Sequence, residues 1–136
     1  MNAPKTGAFS RNKGARGERE FCRLASEALG DKFSRNLKQY QQSQEGDIAQ
    51  PLGPYLVEVK NCAVLKEKEW WQQACTAAQK LGLLPALAIK LNRKGWRVLV
   101  PIKSAWDTGQ QWSRDVRYTQ ALYLDGFWLI IREGAQ

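Results

Sequence analysis

Residues 46–60 read GDIAQPLGPYLVEVK. From Tyr55 onward the stretch is strongly β-prone, and Pro51-Leu52-Gly53-Pro54 ahead of it has the composition of a turn. A strand over 55–61 therefore follows a second strand that starts at 46–49, and the two make a hairpin. Side chains alternate along a strand, so Glu58 and Lys60 share one face while Val57 and Val59 point to the other. The hairpin brings Asp47 beside Glu58.

Working outward, residues 1–10 read as a flexible arm ending on Ser10, the N-cap of a helix over 11–29 that Gly30 stops. Phe21, Cys22, Ala25, Ala28 and Leu29 form the apolar stripe of that helix. Residues 31–38 read as a short strand, and 39–45, rich in Gln, as an exposed mobile loop. Downstream, Trp70, Ala74, Ala77, Ala78 and Leu81 share one face of a helix over 66–81, which Gly82 ends. A largely apolar central strand over 85–91, a turn at Arg93-Lys94-Gly95 and a strand over 96–100 come next. The tail, 101–136, holds a short helix near 103–112 and a hairpin signal at Asp125-Gly126, and is free for dimer contacts. The order αββ(β)αββ plus tail, with no internal repeat, predicts one α/β domain with a mixed sheet over 1–136.

Composition narrows the function. Hydrophobic residues at 43% support a core, and charged residues at 25% with six Trp argue against disorder. No apolar run approaches the roughly 18 residues of a membrane span, and Met1 to Gly7 lacks a signal-peptide stretch, which points to a cytoplasmic protein. Lys and Arg number 21 against 13 acids, a net charge of +8 and a pI near 9.6. That balance favours a polyanionic partner over solubility alone. Three scattered Cys without a CxxC pair read as reduced thiols, not a disulfide frame or zinc site. The absence of His excludes Ser-His-Asp and Cys-His triads and HExxH zinc chemistry. What remains is carboxylate, Lys, Ser, Tyr or thiol chemistry.

Asp47, Glu58 and Lys60 answer to that. Hard carboxylate oxygens hold Mg²⁺, which keeps several waters. The Val59 carbonyl adds a further oxygen, and the Lys60 ammonium can orient a water or offset charge on a phosphorane-like transition state. Glu58 and Lys60 alone are better read as a cross-strand salt bridge worth about 0–1 kcal/mol. Glu18 shifts the balance. At 100° per residue it falls on the stripe of Phe21, Cys22, Ala25 and Leu29, while Glu20 falls nearly opposite. A carboxylate there is costly unless paired or near a metal, although an acid in a first helical turn is also favoured by the helix dipole. Residues 1–44 carry nine bases and four acids, and Arg11, Lys13, Arg16 and Arg19 cluster at the helix start, an arrangement suited to phosphate.

The run Lys13-Gly14-Ala15-Arg16-Gly17-Glu18-Arg19-Glu20-Phe21 resembles the opening of the archaeal Holliday junction resolvases, members of the PD-(D/E)xK nuclease superfamily. The likeness continues through Arg35, Gly46-Asp47-Ile48 and Val57-Glu58-Val59-Lys60. It resumes at Gly82 to Pro85, Ala88-Ile89-Lys90 and Gly95-Trp96-Arg97, in order over roughly 11–100. It implies a restriction-endonuclease-like domain, its mixed central sheet flanked by helices, and a homodimer that cuts four-way DNA junctions with Mg²⁺ (Mn²⁺ as a substitute) in recombination and repair. Carried over, Asp47 and Glu58 match metal ligands, Lys60 the catalytic lysine and Glu18 the helix acid beside the metal. Arg19 and Arg35 match bases near the DNA backbone; Arg11, Lys13, Arg16 and Lys38 join them on charge. The family's Arg-Ser-x-x-Ser stretch before the catalytic Asp is not reproduced: Arg35-Asn36 leads into the Gln-rich loop. Flaps, mismatches or linear DNA thus stand as alternative substrates, and a non-catalytic DNA-binding subunit as an alternative role. Gln73 resembles an auxiliary Gln of some superfamily nucleases. Lys90 ends an apolar strand, where snorkelling to water is the plainer account. Trp70, Trp71, Trp106 and Trp128 are expected in cores or dimer interfaces.

Overall fold

The computed structural model describes residues 5–36, 47–102 and 112–134, with side chains from residue 13 onward. The expected loop over 39–45, Lys38, Gly46, Trp106, residues 1–4 of the arm and all but Trp112 of the expected helix near 103–112 lie outside the described residues.

The elements run α1 (Lys5–Leu29), β1 (Tyr55–Cys62), α2 (Glu67–Leu81), β2 (Leu84–Leu91), β3 (Gly95–Pro101), a 3₁₀ turn (Val116–Tyr118), β4 (Thr119–Leu122) and α3 (Leu124–Gly134). The four strands form one mixed sheet in the order β1-β2-β3-β4. β1 and β2 are parallel, because a helix long enough to cross back joins them. The tight turn at Arg93-Lys94-Gly95, with Arg93 and Gly95 at positive φ, returns β3 antiparallel, and β4 follows antiparallel to it.

Strand alternation sorts the core. Val57, Val59, Ala86, Ala88, Val98 and Val100 face Phe21 and Ala25 of α1 and Phe127, Trp128 and Ile131 of α3. Leu87, Ile89 and Leu99 face Trp70, Trp71, Ala74 and Cys75 of α2, and Leu56 meets Ala77 and Ala78. Helices thus flank both faces, as expected. Cys22 and Cys75 fill the core, and burial pushes each thiol up to about 11, so neither is a nucleophile at neutral pH. Among the described residues no helix is long and apolar enough to cross a membrane.

The structure departs from the expectations in five places. The first helix begins at Lys5, so Ser10 lies inside it and residues 5–10 are not an arm; extending an existing helix adds a hydrogen bond per residue without a second nucleation cost. Of the expected strands at 31–38 and 46–49, the described residues keep one isolated bridge between Arg35 and Ile48. It is bracketed by Asn36 N–H to the Asp47 carbonyl (2.8 Å) and Ala49 N–H to the Ser34 carbonyl (2.9 Å), and Pro51, which has no N–H, cannot prolong the ladder. Leu81 is 56% exposed. Gly82, at φ 67, caps α2, and the next N–H, from Leu83, bonds the Ala78 carbonyl. Leu83 then packs beside Ala77 and Ala78, the apolar contact such a cap uses. Asp125-Gly126 makes no hairpin but sits in the first turn of α3, where the acid suits the helix dipole and Phe127, Trp128 and Ile131 recur at helical spacing. Glu20, expected opposite the buried stripe, meets the sheet as described below.

α1 approaches β1 closely at Gly17. A Cβ there would stand 2.6 Å from the Asn61 Cβ, and Asn61 Nδ2 donates to the Lys13 carbonyl at 3.0 Å. Gly17→Ala is therefore expected to destabilise the fold, although Ala favours helix by about 0.8–1 kcal/mol over Gly. Overpacking should outweigh that gain and leave a net loss of about 1–2 kcal/mol. Thermal unfolding checks it: an unchanged or raised Tm would show that the contact relaxes freely.

A candidate metal and catalytic centre on the outer edge of β1

Leu56 and Cys62 pack on the α2 side of the sheet, so alternation turns Glu58 and Lys60 to that side as well. Val57 and Val59 face α1. β1 is the outer strand of the sheet among the described residues, and along its free edge runs the segment from Asp47 to Ile48. Asp47 N–H reaches the Val57 carbonyl at 3.3 Å, and Asp47 Oδ2 accepts from Val59 N–H at 2.7 Å. The second bond aims the carboxylate back across the edge. The N–H and C=O of one strand residue point the same way, so the Val59 carbonyl is directed to that edge too.

Glu18 comes from α1, on the other face of the sheet. It is 6% exposed, and its Oε1 accepts from Arg35 Nε at 2.8 Å. This carboxylate is paired, which offsets the cost of burying it, and its charge lies within electrostatic reach of Asp47. The bridge between Arg35 and Ile48 makes this possible, because it holds Arg35 beside the residue that follows Asp47. Glu18, Asp47, Glu58 and Lys60 thus converge from α1, the bridging segment and β1 on one edge.

Electrostatics give the centre its character. Asp47 is pushed up to about 6, first by burial, against the Val59 N–H bond, which favours the anion; nearby Glu18 raises it further and Lys60 lowers it. Glu58 is raised well above the ordinary carboxylate range, again first by burial and then by the Asp47 charge. Two buried carboxyls that hydrogen-bond each other cannot both ionise cheaply. A hard cation between them would relieve that repulsion. Two carboxylates and a backbone carbonyl are oxygen donors of the kind Mg²⁺ takes, with water completing its shell. Among the described residues no three His, Cys, Asp or Glu side chains form a metal cage, so the donor set is sparse, and Glu18 is held by Arg35. The residues present fit a divalent ion that keeps several waters.

The bases are distributed differently. Arg16 and Arg19 are exposed on α1. Lys13 Nζ donates to Asn92 Oδ1 at 3.1 Å. Arg35 is held inside the centre by Glu18. Arg11's side chain and Lys38 lie outside the described residues. Gln73 is exposed on α2, and Trp70, Trp71 and Trp128 are buried in the core.

One cluster had no local signal. Lys90 Nζ donates to both Glu20 oxygens at 2.7 Å, and Trp96 Nε1 donates to Oε1 at 2.9 Å. Glu20 is held below its usual range by these partners despite partial burial. The cluster, with Gly17 against Asn61, seats α1 on the sheet within one turn of Glu18. Lys90 neither snorkels nor joins the centre; Glu20 takes its charge.

The family described as "Phage putative PDDEXK endonuclease" matches the chain over residues 9–125. Among solved structures, the 1.6 Å structure of Archaeoglobus fulgidus Hjc, a Holliday junction resolvase from an archaeal hyperthermophile, is similar at 27% identity. The match covers 61% of this chain and 72% of that one, with a TM-score of 0.46. Comparison with curated proteins gives no match.

Proposed function

The chain belongs to the phage PDDEXK endonuclease family, and on that premise we propose that it is a Mg²⁺-dependent, structure-specific DNA endonuclease acting on four-way junctions. The observation that supports a cutting role is the buried Asp47–Glu58 pair on the edge of β1, with Lys60 on the same strand face as Glu58. An ordinary surface salt bridge would not bury two mutually repelling carboxyls.

Asp47, Glu58 and the Val59 carbonyl would hold the ion, and Mn²⁺ would serve in its place. When bound, a divalent cation polarises a phosphate oxygen and makes water a stronger nucleophile at neutral pH. Lys60 orients the attacking water and offsets charge building on the phosphate oxygens. Glu18, held by Arg35, fixes the charge beside Asp47 and keeps that carboxylate turned to the edge. Water attacks phosphorus, the bond from phosphorus to the 3′-oxygen breaks, and a proton passes to that leaving oxygen. Arg16 and Arg19, exposed on α1, take backbone phosphates alongside.

Four-way junctions are favoured by the ordered sequence likeness from Lys13 to Arg97 described above. A homodimer would place two such centres for symmetric nicks. The departure after Arg35 favours the second reading, a nuclease of flaps, mismatches or linear duplex. Cleavage of labelled junction, flap, duplex and single strand at matched salt separates them. With Mg²⁺ the junction should be cut fastest. EDTA should abolish cutting, and Lys60→Ala should slow it by about 10²-fold. Full activity of Lys60→Ala would end the assignment. Calorimetry bears on the non-catalytic alternative, which expects no Mg²⁺ heat that depends on Asp47 and Glu58.

A further inference from the structure

Across α2 from the cutting centre lies a cavity of about 420 Å³ lined by Lys68, Gln72, Arg114, Asp115, Val116 and Arg117. Arg114 is built into it. Its Nε and Nη2 donate to Gln72 Oε1 at 3.3 and 3.2 Å, its Nη2 to Thr76 Oγ1 at 2.8 Å, and its Nη1 to Gln79 Oε1. Every one of these acceptors is neutral. The guanidinium is thus fixed by one flank of α2, and among the described residues no carboxylate is bonded to it. Asp115, the one acid of the lining, is bonded to Arg117, whose Nη2 stands 2.8 Å from Oδ2, and it also lies within reach of Lys68. Three cations against one anion leave the cavity positively charged.

A cation held by neutral dipoles gains when an anion arrives, because its position is already fixed and no ion pair must first be broken. Lys68 and Arg117 stand at the solvent side, where their long side chains can close on an oxyanion. The flank of α2 that carries Gln72, Thr76 and Gln79 is turned from β1, whereas Ala77 and Ala78 meet Leu56 of β1. α2 therefore stands between this cavity and the strand of Glu58 and Lys60, and a helix with its side chains is about 10–12 Å across. Along a DNA strand, with one charge per about 3.4 Å of axis, that is about three phosphates.

We propose that this cavity binds a backbone phosphate of the DNA outside the cutting centre, so that the substrate is gripped on both sides of α2. This rests on the reading of the chain as a DNA nuclease. It adds a contact that the basic start of α1 does not supply.

The test is DNA binding by fluorescence anisotropy in EDTA, with a labelled four-way junction and a labelled duplex, from 50 to 200 mM salt. Lys68→Gln combined with Arg117→Gln should flatten the slope of log K against log salt by about 1–2 units. Affinity at 100 mM salt should fall about tenfold or more, with Tm unchanged. Arg114→Gln, followed with its Tm, should act in the same direction; Arg114→Lys, which keeps the charge, should recover part of the loss. A wild-type protein that binds DNA with a slope unaltered in the double variant overturns this site and leaves the nuclease reading standing. A wild type that neither binds nor cuts DNA overturns both. Calorimetry with inorganic phosphate supplies the remaining arm. Phosphate binding lost in the double variant while the DNA slope is unchanged would assign the cavity to a free anion and overturn the DNA contact.

Discussion

Asp47→Asn is expected to abolish cleavage and at the same time make the metal-free protein more stable. The loss of cutting, by roughly 10³-fold or more, follows if Asp47 is a metal ligand at the reacting phosphate. The gain in stability follows from the same geometry. Asp47 is buried beside Glu58 and within reach of Glu18, and its folded-state value is raised from 3.8 to about 6. A raised carboxyl binds its proton more tightly when folded than when unfolded. Asp47 therefore costs the fold nothing below about pH 4, its contribution to stability falls as pH climbs toward 6, and the full penalty stands above that. A shift of about two units corresponds to about 3 kcal/mol. Asn keeps an oxygen to accept the 2.7 Å bond from Val59 N–H and can donate to Glu58, so the packing survives.

Urea unfolding in EDTA at pH 4 and pH 8 measures it. The variant should match the wild type at pH 4 and exceed it by about 1–3 kcal/mol at pH 8. Mg²⁺ should then raise the Tm of the wild type and leave that of the variant almost unmoved, because only the wild type offers both carboxylates. A variant less stable than the wild type at pH 8 would show that the pair is a supporting strut and would remove the electrostatic case for a cation there.

That centre was legible in the sequence to the extent that its geometry is periodic. Alternation along β1 placed Glu58 and Lys60 on one face, and the 100° step along α1 placed Glu18 on the buried stripe. Both rules depend on residues a few positions apart. The Pro-Gly turn, which ends with Leu52 and Tyr55 hydrogen-bonded to each other at 2.9 and 3.0 Å, returned Asp47 to the strand edge as expected. What was not legible depends on distant partners. Glu20 lies 70 residues from Lys90, and no local pattern tells that the two sides of α1 are both occupied, one by the centre and one by the sheet. Arg114 is bonded to α2 residues 35 to 42 positions away. At Asp125-Gly126 a local turn signal lost to tertiary packing, because Phe127, Trp128 and Ile131 bury together only when the segment is helical.

Phe21→Ala should cause the largest loss of stability, about 3–5 kcal/mol, and with it the loss of the cutting centre. Phe21 is fully buried. Its ring lies 5.6 Å from that of Trp96 on β3 and 5.6 Å from that of Trp128 on α3. Trp128 continues to Phe127 at 5.6 Å, and Phe127 to Tyr55 at the start of β1 at 5.3 Å. One chain of rings thus ties α1 to β3, α3 and β1, and Phe21 is its link to α1. Such ring pairs contribute about 0.5–1.5 kcal/mol beyond the area they bury. Removing the ring leaves a cavity lined by indoles that cannot collapse without moving α3. Since Glu18 and Glu20 stand on the same helix within one turn of Phe21, any shift of α1 moves the carboxylate beside Asp47. Against a total stability of roughly 5–15 kcal/mol, the expected cost removes a large fraction. Phe21→Leu, which keeps most of the volume, should cost less than about 1.5 kcal/mol. Urea unfolding of the two variants, paired with cleavage measured below their transitions, distinguishes a packing role from a local one. If Phe21→Ala loses less than about 1.5 kcal/mol, the aromatic chain does not hold α1, and the seat of Glu18 must rest on Gly17, Asn61 and the Glu20 cluster instead.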